Sequence, residues 1–215
     1  MLPLFLVALS LAIQGVRAPG EPERQQRRLL DVLVFSAEPN DTNQYPPEVR
    51  EELQRYLQRF RGYRPRPRPT GLGSEMTMVY AAREGYERKI VAASELGGVE
   101  ALAQEYVDRL RPCYEWEGFH DCPEREASFA DEYLRQHPDA PFRDFLRLLA
   151  AHRWLCTAEG YDHARRPAGA ERARREYERA VTRAGETRSA MIEVAVNELR
   201  VTNRCYASDP FRRRE

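Results

Sequence analysis

The sequence predicts an all-α fold: a helical array or orthogonal bundle of six to seven helices, solenoid-like in arrangement and stapled by two disulfides. Three observations predict it. Apolar residues recur at three- and four-residue spacing in several long segments, the period of one helix face. Clusters of Gly and Pro punctuate those segments: Gly62, Arg64-Pro-Arg-Pro-Arg-Pro69, Gly97-Gly98, Pro112 and Pro138-Asp-Ala-Pro141. Charged residues make up 32% of the chain and hydrophobics 42%, a balance that suits amphipathic helices with solvated outer faces.

Residues 1–18 stand apart from that pattern. The apolar run from Leu2 to Ile13 has the length of a secretory h-region and is too short to span a bilayer. Val16-x-Ala18 supplies the small residues at a cleavage point. Pro19 just beyond it makes cleavage after Gly15 an alternative, and a buried N-terminal helix is the competing reading. A signal peptide over 1–18 implies a secreted or periplasmic chain with no membrane span, whose four cysteines form disulfides. Four cysteines allow three pairings. The favoured one joins Cys113 to Cys122 across a tight loop and Cys156 to Cys205 between two helices. In the chain-entropy account these contribute about 2.5–3 and about 4 kcal/mol.

The elements follow in order. Residues 19–73 form an N-terminal extension. Within it Leu29 to Phe35 is a short apolar run that reads equally as strand or helical turn. A helix over 47–61 opens on Pro47, places Val49, Leu53, Tyr56, Leu57 and Phe60 on one face, and stops at Gly62. Arg64 to Pro69 cannot be helical and reads as an extended Arg-Pro linker. The main domain spans 74–206. Ser74 caps a helix with Val79, Tyr86, Ile90 and Ala93 inward. Val99, Leu102, Ala103, Tyr106, Val107 and Leu110 form the next. Cys113 to Pro123 is a compact aromatic loop. Glu124 to His137 is a helix with Phe129, Ala130, Tyr133 and Leu134 inward. Another runs from Phe142 to about Ala158 along Phe142, Phe145, Leu149, His152 and Cys156. A charged helix covers 170–184, and a last one carries Met191, Val194, Ala195, Leu199 and Val201. Residues 207–215 are a disordered basic tail.

Trp154 and Tyr161 fall seven apart with Ala158 between them, and Ala173, Tyr177 and Ala180 repeat a small–aromatic–small pattern. On these residues the stretch 124–184 resembles a single tetratricopeptide unit, in which small residues let paired helices approach and aromatics fill the groove beside them. It departs from that family in a longer turn around Arg165-Arg-Pro167 and in lacking the closing Pro. The resemblance implies a scaffold that binds a protein or peptide, and it implies no catalytic residue.

Acids and bases balance at 34 each, so no global field directs the chain to nucleic acid. Lys89 is the only lysine among the 34 bases. A GC-rich codon bias accounts for the arginine excess. Neither a G-x-S-x-G elbow nor a glycine-rich phosphate loop is present. The leading expectation is a non-enzymatic interaction domain needing no cofactor, with Tyr114, Trp116 and Phe119 on the disulfide loop as its contact residues. Exposed aromatics on a constrained loop bind at low entropic cost. The first alternative is a metal-dependent enzyme built on Glu117, His120 and His152, since all four histidines lie between His120 and His163 and Glu117-x-x-His120 has a ligand spacing. Glu117 on a loop, and an apolar stripe around His152, weigh against it. The second alternative is polyanion or envelope-surface binding through the Arg-rich segments.

Overall fold

The computed structural model describes residues 28–35, 39, 41–94, 97–113 and 118–205. The expected signal segment and the expected basic tail lie outside these residues. Among the described residues the fold is all-helical: α1 (Leu29–Phe35), α2 (Pro47–Gly62), α3 (Ser74–Ala93), α4 (Glu100–Arg109), α5 (Asp121–Gln136), α6 (Arg143–His163), α7 (Pro167–Ala184) and α8 (Ala190–Thr202). None of these helices is long and apolar enough to cross a membrane.

The run that periodicity left open is helix α1. Leu29, Leu30, Val32, Leu33 and Val34 are all buried, so apolar residues cover every side except that of Asp31 and give no stripe to read. It packs on α8. Glu198 of α8 accepts from the Leu30 N–H at 2.8 Å, and Arg28 donates to Thr202 Oγ1 at 2.8 Å, so α8 supplies partners for the open N-terminus of α1. A second carboxylate does the same for α8. Glu52 of α2 accepts from the Met191 N–H at 2.6 Å, beside the cap that Ser189 Oγ makes to the Ile192 N–H at 3.1 Å. These two carboxylate caps join α1 to α8 and α8 to α2.

Helices α5, α6 and α7 form a second group, with α6 packed along both neighbours. Residues 148–158 of α6 are buried without interruption. Small residues permit this. Ala170, Ala173, Ala180 and Ala184 face inward from α7. A Cβ on Gly160 would stand 2.7 Å from the His120 backbone N, so the loop before α5 rests directly on the α6 backbone. Between α4 and α5, Tyr106 and Tyr133 meet edge-on with ring centroids 4.9 Å apart, and Phe142 stacks on Tyr133 at 5.9 Å.

The two disulfides are Cys113–Cys122, with Cα atoms 5.6 Å apart, and Cys156–Cys205, at 4.8 Å. The second ties the segment just after α8 to α6.

Several boundaries differ from those that sequence spacing gives. Helix α5 starts at Asp121, so Cys122 and Pro123 lie in its first turn, where the N–H that Pro lacks has no helical partner in any case. Ser74 is the first helical residue of α3 and the cap position is Gly73. Helix α6 continues to His163, and α7 starts at Pro167. Val201, expected in the inward stripe of the last helix, is 85% exposed, because the stripe ends with Leu199. The Arg-Pro segment is non-helical as expected and lies along α3 and α4: Tyr63 donates to Glu87 at 2.5 Å, Arg68 pairs with Glu84 at 2.7 Å, and Arg66 with Asp108 at 2.7 Å.

Candidate functional site

Two arrangements stand out, one buried and one open. The buried one gathers polar side chains from three helices, and a backbone carbonyl from a fourth, into the core. Tyr86 and Lys89 come from α3, Glu126 from α5, and His152 and Arg153 from α6. The backbone carbonyl of Val34 comes from α1. Glu126 is the hub. Its Oε2 accepts from Arg153 Nε at 2.5 Å and from the Tyr86 hydroxyl at 2.6 Å, and its Oε1 accepts from the Cys113 N–H at 2.6 Å. Arg153 also donates to the Tyr86 hydroxyl at 2.8 Å and to His152 Nδ1 at 3.0 Å. A guanidinium has no acceptor, so Nδ1 carries the lone pair and Nε2–H donates to the Cys205 carbonyl at 2.8 Å. The Lys89 ammonium nitrogen donates to the Val34 carbonyl at 2.6 Å and lies 4.8 Å from the centre of the Tyr86 ring.

The electrostatics follow from burial. Removal from water pulls the Lys89 amine down to about 7, with the positive charge of Arg153 adding to the effect and Glu126 opposing it. The same burial raises the Tyr86 hydroxyl and holds the His152 imidazole well below its ordinary value, so both stay neutral at physiological pH. Burial disfavours the charge on Arg153, but Tyr86 and Glu126 outweigh it and the guanidinium stays charged. The cluster therefore holds one full ion pair and one basic group poised between its two states.

The open arrangement is a cleft of about 990 Å³ walled by α5 and α7 and floored by α6. Ala150 and Trp154 form part of the floor. Arg135 and Asp131 lie on one wall, Arg179 and Arg183 on the other. Ion pairs cross from wall to wall: Arg183 to Asp131 at 2.9 Å and Arg172 to Glu124 at 2.6 Å. Trp154 is 6% exposed, and its indole N–H donates to Asp131 Oδ2 at 2.8 Å, which orients the ring towards α5. At one end His120 stacks on Tyr161 with centroids 3.7 Å apart, and the Tyr161 hydroxyl donates to Glu124 at 2.7 Å.

The residues singled out from sequence fall as follows. Tyr114, Trp116 and Glu117 lie outside the described residues. Phe119 is 56% exposed. His120 and His152 do not converge. His120 rests against Gly160, eight residues beyond His152 on the same helix, about 12 Å along its axis. His152 instead shares a buried group with Cys156 and Cys205, whose ligand atoms lie within 4.8 Å of one another. Those two sulfurs are bonded to each other, so neither is a thiolate that could hold a metal. Arg66 and Arg68 of the Arg-Pro segment spend their charge on Asp108 and Glu84.

Sequence reasoning missed the Glu126 cluster, although a signal was present. Glu126 is four residues before Ala130 and seven before Tyr133, squarely on the inward stripe of α5, and Arg153 is four after Leu149 on α6. A charged residue on an apolar stripe needs a buried partner of opposite sign.

No protein-family model matches this chain, no curated protein matches it, and no solved structure matches it.

Proposed function

We propose that the chain is an exported, non-enzymatic scaffold that binds an extended protein segment in the cleft between α5 and α7. The observation that carries this reading is the cleft itself. It is large enough for several side chains and has an oriented indole in its floor. Its walls carry both signs of charge, which suits a polar peptide backbone and mixed side chains. The tetratricopeptide resemblance over 124–184 covers the same three helices and implies the same use. Two disulfides fit an oxidising compartment, in keeping with the signal segment over 1–18. Phe119, exposed on the approach to α5, extends the proposed contact surface towards the disulfide loop.

Selection of a displayed random-peptide library on the oxidised full chain tests this. Peptides enriched on the wild type should lose at least about tenfold in affinity on an Arg135→Glu, Arg179→Glu double variant, a change of about 1.4 kcal/mol. Both side chains are well exposed, so the exchange leaves the core intact. Failure to enrich any peptide, or unchanged binding to the variant, would remove the scaffold reading.

A further inference from the structure

We propose that Lys89 is a proton-operated latch on α1: the neutral amine holds the C-terminal end of that helix against α3 and α6, and protonation releases it.

The first ground is the choice of residue. Every other strongly basic side chain in the sequence is arginine, which cannot lose its charge in a protein. The exception is position 89, which is only 7% exposed in the core. Lysine is the one strongly basic side chain that can discharge when buried, so the residue type fits the location.

The second ground is geometry. Three contacts tie the C-terminal turn of α1 to this cluster. Lys89 donates to the Val34 carbonyl at 2.6 Å. The Phe35 ring meets the His152 ring edge-on at 5.2 Å, and the Arg153 guanidinium lies over Phe35 at 5.8 Å. The N-terminal end of α1 is fixed separately, by Glu198 and by the Arg28 bonds to Thr202 and Asp31. Loss of the C-terminal attachments therefore swings α1 about its N-terminal end.

The third ground is charge balance. On α5 only Glu126 faces the amine as an anion, and Arg153 of α6 already pairs with it at 2.5 Å. On α3, Tyr86 is neutral, and Glu87 sits two residues away on another side of the helix, where Tyr63 donates to it. Tyr106 of α4 and His152 of α6 are neutral too. The charges of α1 and the residue before it, Asp31 and Arg28, pair with each other at its far end. Among the described residues a proton on Lys89 thus meets no anion other than Glu126, which Arg153 already holds, and adds a second buried cation next to Arg153. Solvation of the ammonium on opening relieves that.

The direction follows from linkage. The closed amine titrates near 7 and the open one near the ordinary 10.5. Between those values the open state binds the extra proton, so closure strengthens as pH rises from about 7 towards about 10. Below about 7 both states are protonated and closure stays at its weakest.

Hydrogen exchange on the oxidised full chain, corrected for intrinsic rates, reads this amide by amide. The residue 30–35 amides should exchange faster than the slowest α6 amides. Their protection should be flat below about pH 7 and rise by up to about tenfold per pH unit above it. Lys89→Met has no proton to gain and cannot donate to the Val34 carbonyl, so it should give pH-independent protection no higher than that of the wild type at high pH, and Lys89→Arg low protection throughout. If Lys89→Arg does not fold, the comparison of wild type with Lys89→Met still decides. Two results would overturn the latch: a wild-type slope that survives in Lys89→Met, or α1 amides that exchange in step with the slowest α6 amides at every pH.

Discussion

Trp154 shows how one side chain serves both stability and surface. Its ring is buried in the floor of the cleft, and its only polar atom is satisfied by Asp131 across the gap to α5. Truncation to Ala removes a large buried aromatic and leaves a carboxylate short of one donor. Trp154→Ala should cost about 3–5 kcal/mol in urea unfolding. Ala173→Leu, on the α7 face that must approach α6, should cost about 1–3 kcal/mol through overpacking. Losses under about 0.5 kcal/mol at both positions would mean that α6 and α7 tolerate slack, and the close-packing account of this pair would fail. The spacing of Trp154, Ala158 and Tyr161 marked a packed face, and Trp154 is buried, but its bond to Asp131 of α5 was not legible. The Glu126–Arg153 pair was not legible either, because a single sequence marks a charge on an inward stripe without naming its partner, which lies 27 residues away in the chain.

At the scale of elements, the long amphipathic helices were legible and their ends were not. Helices α2, α3 and α6 announce themselves by stripe and by Pro or Gly punctuation. The α5 start was read three residues late because Pro123 looks like a breaker, whereas in a first turn it costs nothing. Helix α1 was ambiguous because burial on all sides erases periodicity. Both disulfides take the favoured pairing, and they differ in what they restrain. Cys113–Cys122 closes a separation of 9 residues and Cys156–Cys205 one of 49. Replacing both cysteines of the long pair with Ser should therefore lower unfolding free energy by about 4 kcal/mol, against about 3 kcal/mol or less for the short pair. Denaturant midpoints of the two double variants check the order. A larger loss for the short pair would mean that the Cys113 N–H contact with Glu126, and not loop closure, dominates.

Among the described residues two groups of helices, with α3 packed on α2 and α4 on α3, surround one polar hub. Helices α1, α2 and α8 hold one another by carboxylate caps, α5 to α7 form the cleft, and the Glu126 cluster with the Cys156–Cys205 bond joins the two. The proposed latch and the proposed peptide site are then separate: Lys89 would act on α1, while none of the residues lining the cleft belongs to α1. The measurement that tests the scaffold claim most directly is the indole N–H resonance of Trp154. The chain has two tryptophans, so a Trp116→Phe variant leaves Trp154 as the only indole signal. Titration with a library-selected peptide should shift that resonance in a saturable way, because the indole–Asp131 bond lies in the floor of the cleft. A peptide that binds to saturation and leaves the Trp154 resonance unmoved would contradict the account.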